Sequence, residues 1–160
     1  MAQFAWSEEY SVGIHSLDTD HDLLIGLIGQ LQEAASDSNE RLDNVTSILN
    51  AIQDYTDYHF SREEALMAAC RYPELDEHLK AHAAIRRDLA QHAADISATG
   101  DSYDYASLFA FLSKAFLDHL LDEDKAYEPY MAARRDAVLQ ANEDFVNKDS
   151  HEDVLFVEAD

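Results

Sequence analysis

The chain has 160 residues, 47% hydrophobic and 10% aromatic, with only 4 Gly and 2 Pro, which suits one helical domain and excludes a disordered, collagenous or turn-rich chain. Its 33 acidic and 11 basic residues give a formal charge of −22, a field that repels phosphate backbones and anionic lipid, so neither nucleic acid nor a membrane is an expected partner. There is no apolar run of about 18 residues, no signal-peptide pattern at the start, and a single Cys70 that can form no internal disulfide, so a cytoplasmic location is expected.

Residues 1–16 carry Phe4, Trp6, Tyr10, Val12 and Ile14 without helical spacing and are expected to lie as an arm over a core. Leu17, His21, Leu24, Ile28, Leu31 and Ala35 then step by four and three, the spacing of an amphipathic helix, and SDSN at 36–39 ends it. A second ladder runs Val45, Leu49, Ile52, Thr56, His59, Glu63, Leu66, Cys70 up to the proline break RYP at 71–73. The third is Leu75, His78, His82, Ile85, Leu89, His92, Ile96, closed by Gly100. Tyr105, Leu108, Leu112, Ala115 and His119 make the fourth, with Asp101 and Ser102 as candidate N-caps. Short connections between four such helices predict an all-α, antiparallel up-down-up-down four-helix bundle over residues 1–125, arm included. Residues 126–160 are read as a C-terminal extension, partly helical and then an acidic, loosely held tail.

The chemistry lies in the polar residues on the inner lines of these ladders. His21, His59, Glu63, His78, His82 and His119 stand where Leu or Ile belongs. Unpartnered, each would cost roughly several kcal/mol to bury, and a bound metal removes that cost. His78 with His82, and His59 with Glu63, are i, i+4 pairs that project two donors from one helix to one place. Together they exceed the needs of one ion. Imidazole with bridging carboxylate suits iron, or manganese or zinc, in a dinuclear cluster. Any one of these histidines alone reads as a satisfied core residue, and it is the set of six on four seams that indicates a metal. His92 stands apart, about 15 Å of helix beyond His82, and His15 and His151 fall in the arm and tail. The H-E-x-x-H pattern of zinc proteases and the Glu-x-x-His pairs of ferritin-like di-iron enzymes are absent from the sequence.

At these positions the chain resembles a known family. SVGIHSLDTDH at 11–21, HFSREEALM at 59–67, HLKAH at 78–82 and HLLDEDK at 119–125 are similar to the hemerythrin signature in its bacterial, single-domain form, over residues 6–125. The resemblance implies two iron ions with an oxo or hydroxo bridge: His78, His82 and His119 on one, His21 and His59 on the other, Glu63 and Asp124 bridging both. The second iron would keep an open position for dioxygen, in a pocket lined by Leu24, Phe60, Phe116 and Leu120. The implied function is reversible dioxygen binding, for storage, delivery or scavenging, without enzymatic turnover. The alternatives are an oxygen or redox sensor, whose C-terminal extension would meet a protein partner, and a di-iron enzyme acting on peroxide or nitric oxide.

Two positions qualify the resemblance. Asp124 lies five residues past His119, about 140° round a regular helix, whereas Glu123 would be only about 40° away. Asp124 can therefore serve only if the fourth helix widens or ends between them, as a π-bulge allows. Ala115 stands where the invertebrate carriers tend to have a bulky aromatic, a departure that bears on pocket size.

Overall fold

The computed structural model describes residues 4–159, with side chains through Lys148. Among the described residues the fold is helical, with no strand and no helix long and apolar enough to cross a membrane. Four long helical stretches correspond to the four ladders: α1 (His15–Ser36), α2 (Arg41–Ala69), α3 (Leu75–Thr99), and a fourth that begins as α4 (Tyr105–Leu112). The fourth continues as π-helix over Ser113–Asp118 and Leu120–Asp124, and then as α5 (Lys125–Ala133). A further helix, α6 (Arg135–Ala159), packs against α2. The boundary expected at residue 125 coincides with no break in the backbone, because α5 follows the π-helical turn directly. His151 and most of the tail, expected to be loosely held, lie outside the residues with described side chains.

The ladders bury as their spacing requires. Every position of the second, from Val45 to Cys70, is buried, and the inner positions of the others follow suit, with Ala35, Leu75, His92, Tyr105 and Ala115 only half-buried at or near the margins. Each fully buried Leu or Ile contributes about 1.5–3 kcal/mol through the apolar surface it removes from water. The helix stops are local. Gly100 turns at φ 65°, a left-handed conformation glycine adopts freely. The cap of α4 is Asp104, which accepts from the Ser107 N–H at 3.3 Å. It displaces the expected Asp101 and Ser102, which form a short 3₁₀ turn because the helix starts three residues later.

The buried apolar side chains form two clusters, with the polar rungs of the ladders between them. One contains Leu24, Ile28, Phe60, Ile85, Phe116 and Leu120, and the other Ile14, Leu17, Leu66, Met67, Tyr127 and Met131. Along α1, His21 falls between Leu17 of one cluster and Leu24 of the other, and on α2 Glu63 falls likewise between Phe60 and Leu66. The arm closes over both, with Phe4 and Tyr10 buried in the first cluster, Val12 and Ile14 in the second, and Trp6 resting half-buried against Tyr10. Asp18 anchors the arm by accepting from Val12 N–H (2.8 Å) and Ser11 Oγ–H (2.6 Å). From α5, Lys125 Nζ donates to the Ser11 carbonyl at 2.7 Å, so the arm and α5 hold each other.

Met131 on α5 is fully buried, so Met131→Ala is expected to cost about 2–5 kcal/mol of stability in urea unfolding. Wild-type stability in that variant would show that α5 is no part of the core.

Candidate metal centre

All seven expected metal-ligand positions come together between the two apolar clusters, each at most 6% exposed. Their donor atoms form two groups: Glu63, His78, His82, His119 and Asp124 in one, His21, His59, Glu63 and Asp124 in the other. The two carboxylates belong to both groups, and their oxygens divide between them. Glu63 Oε1 faces His78 Nε2 (3.3 Å) and His82 Nε2 (2.9 Å), while Oε2 faces His21 Nε2 (3.5 Å) and His59 Nε2 (3.4 Å). Asp124 Oδ1 lies 3.0 Å from both His78 Nε2 and His119 Nε2, and Oδ2 lies 3.2 Å from His21 Nε2.

Asp124 reaches the centre because the helix is wound for it. In the π-helical segment the Lys125 N–H bonds the Leu120 carbonyl five residues back, and this wider turn returns residues five apart to one side. Glu123, the choice of a regular helix, is turned outward with its side chain 48% exposed, and pairs with the outer Nδ1 of His119 at 3.2 Å.

The residues present fit metal ions. The Nε2 atoms of His78 and His82 approach to 3.1 Å, an approach that one cation between them would explain. Among the described residues, buried Nε2 of His21, His59 and His119 and Oδ1 of Asp124 lack any well-aligned hydrogen-bond partner, although oppositely charged groups stand close. Buried donors left unmatched and converging on two places have the chemistry of ligands. Outer partners fix which nitrogen faces inward. His59 Nδ1–H donates to Asp20 Oδ2 (2.8 Å) and His82 Nδ1–H to Glu64 Oε2 (2.8 Å), leaving each Nε2 directed at the carboxylates. Phe60 stacks on the His82 ring at 3.7 Å and 3°, and Tyr127 O–H donates to Glu63 Oε2 at 2.7 Å.

Without a cation, this centre holds protons instead. Burial lowers the affinity of His21 for a proton, but Asp124 and Glu63 outweigh it and raise the pKa to about 9. The same contest raises His78 to about 10 and His119 to about 9. Burial pushes Glu63 upward, and His59 and His21 overcome this to hold it well below the usual carboxylate range. Burial and Glu63 push Asp124 upward, and His119 and His21 overcome this to hold it below the usual carboxylate range.

A cavity of about 20 Å³ adjoins the centre, lined by His21, His59, His119 and Asp124 together with Leu24, Ile25, Phe60, Phe116 and Leu120. Leu24, Phe60, Phe116 and Leu120 were the expected lining, and Ile25 is an addition. The outer partners were also missed by the ladders, though Asp20 and Tyr127 carried a signal. Asp20 stands three residues after Leu17 and four before Leu24, and Tyr127 continues the fourth ladder three residues past Asp124.

Such a centre defines a helical metal-binding protein. The sequence profile of the family described as "Hemerythrin HHE cation binding domain" matches residues 12–131. The chain is 27% identical to a bacteriohemerythrin of Stenotrophomonas maltophilia over 133 residues, 83% of this chain and 84% of that one. It is 26% identical to a bacteriohemerythrin of Pseudomonas aeruginosa (79% and 80% covered), and 25% to a myohemerythrin of Riftia pachyptila (78% and 91% covered). The chain therefore belongs to the hemerythrin family.

A cation must displace the protons held by the imidazoles. Uptake at about pH 7 is therefore expected to release protons, and apparent affinity to rise as pH increases from about 6 to about 9. Calorimetric titration with Zn²⁺ in two buffers of different ionisation enthalpy measures this, and identical heats would contradict it. Because Glu63 divides its oxygens between the groups, Glu63→Ala should weaken both of two bound ions, whereas His59→Ala weakens one, as read by metal per chain after dialysis. Equal loss from both variants would refute the division.

Proposed function

We propose that this chain binds dioxygen reversibly at a non-haem di-iron centre, for storage, delivery or scavenging rather than for turnover of a substrate. The observation that carries the reading is the pair of buried carboxylates, each dividing its oxygens between two groups of imidazoles, with an apolar cavity beside them. His78, His82 and His119 would hold one iron, His21 and His59 the other, and Glu63 and Asp124 would join them. When bound, the irons supply the two electrons that capture dioxygen and recover them on its release.

The protein's own residues make release the favoured outcome. The group containing His21 and His59 has one donor residue fewer than its neighbour, which leaves room for a ligand on the side where the cavity lies. Apart from ligand positions the cavity is lined only by Leu24, Ile25, Phe60, Phe116 and Leu120, which exclude water and offer no proton. Its volume suits a very small molecule and nothing larger. Tyr127, a phenol in contact with the centre, has its proton committed to Glu63 at 2.7 Å. The fold belongs to the same reading: α1, α2, α3 and the fourth helix, joined by short turns, run up-down-up-down as an antiparallel bundle with the donors on facing seams.

The test is anaerobic loading with ferrous iron, a count of iron per chain, and repeated addition and removal of oxygen. Two irons per chain and a visible charge-transfer band that appears and reverses are expected. One-way oxidation would replace oxygen carriage with redox sensing or peroxide chemistry, and absence of iron uptake would remove the centre.

A further inference from the structure

We infer that Arg62 and Asn142 are positioning residues for the His59 side of the centre, so that the C-terminal helix α6 sets the orientation of a metal-facing imidazole through them. The inference rests on the metal-binding reading of His59 and adds a role for α6 that the site's own residues do not require.

The link is a continuous run of hydrogen bonds across three helices. His59 Nδ1–H on α2 donates to Asp20 Oδ2 on α1 at 2.8 Å, and the same oxygen accepts from Arg62 Nε at 3.0 Å. Tyr55 O–H fills the other oxygen, Oδ1, at 2.6 Å. Asp20 is 1% exposed and Arg62 7%, so neither can exchange these partners for bulk water. The far end of the guanidinium is held by α6: Arg62 Nη1 donates to Asn142 Oδ1 at 2.6 Å, while Nη2 donates to Tyr58 O–H at 2.9 Å. Phe145, one turn on from Asn142, places its ring 5.3 Å from the guanidinium carbon and 5.2 Å from the Tyr58 ring.

Each connection leaves little freedom. A guanidinium is a rigid planar fork, so a shift at Nη1 is transmitted to Nε without the slack of a lysine stem. The carboxylate oxygen that takes Nε is the one that fixes the His59 ring, and the ring determines where its Nε2 points. Among the described residues, no hydrogen bond or ion pair joins α6 to the neighbouring group. His82 is held by Glu64 at 2.8 Å, and Glu64 by Arg86 at 3.3 Å, all on α2 and α3. A change on α6 should therefore reach one half of the centre and spare the other, which distinguishes positioning from general support of the fold.

The experiment compares the full chain with Asn142→Leu, which keeps the size and removes the acceptor, and Asn142→Asp, which keeps an acceptor. Two readouts are taken: the His59 ring N–H resonance in the metal-free protein, and a stepwise Zn²⁺ titration in which the His59-side step is the one that His59→Ala abolishes. In Asn142→Leu the His59 resonance should shift and that step weaken by about tenfold, the scale of an outer-partner loss, with the other step unchanged. Asn142→Asp should restore both. Should Asn142→Leu fail to fold, as judged by circular dichroism, Asn142→Ser serves in its place. An unmoved resonance with unchanged affinity overturns the inference, as does equal weakening of both steps without rescue by Asn142→Asp. If the wild-type chain takes up no metal, the metal reading fails separately. The His59 resonance then decides alone, a shift supporting positioning by α6 and no shift overturning it.

Discussion

Two carboxylates buried among imidazoles are the constraint around which the rest of this molecule is arranged. Glu63 and Asp124 are at most 2% exposed, and a carboxylate that deep is tolerable only with strong partners on every side. Five histidines supply them here: His21, His59, His78, His82 and His119 converge from four helical stretches. Such convergence places polar groups across the middle of a helical core, so the apolar residues are divided into a cluster on either side. Where no cation stands between them, the imidazoles keep protons that solvent would remove, and the carboxylates release theirs with unusual ease. The centre is therefore poised to exchange protons for metal.

The same constraint accounts for the least regular part of the backbone. A regular fourth helix would offer Glu123 to the centre and swing Asp124 away. The i to i+5 winding of Leu120–Asp124 reverses that choice, so that Asp124 is 2% exposed and the Glu123 side chain 48% exposed. The shorter Asp side chain thereby stands opposite the longer Glu63, each dividing its oxygens between the two groups. The outer partners complete the arrangement by deciding which ring nitrogen looks inward: Asp20 for His59 and Glu64 for His82.

Much of this was legible because the ladders are strict. A polar residue on an inner line is a local signal, and the six that pointed to a metal, His21, His59, Glu63, His78, His82 and His119, are all buried at the centre, whereas His92 on the same kind of line is half-buried. The four apolar positions expected beside the site line its cavity for the same reason, since one helical turn fixes both. Asp124 was different: helical geometry alone pointed to its neighbour, and only the family resemblance named it. What sequence reading missed lies where periodicity carries no partner information. Tyr127 and Met131 continue the fourth ladder past the expected end of the bundle and are fully buried. Arg62 reads as a surface charge on a polar face, and its burial depends on α6, a helix whose packing on α2 no local pattern announces. The expected caps Asp101 and Ser102 missed for a simpler reason, a 3₁₀ turn that delays the helix to Tyr105.

The most direct test of a two-ion centre joined by shared carboxylates is anomalous X-ray diffraction from crystals of the iron-loaded chain at the iron edge. Two peaks should appear, both within bonding distance of Glu63 and Asp124, one beside His78, His82 and His119 and the other beside His21 and His59. A single peak, or a pair in which Glu123 replaces Asp124, would contradict it.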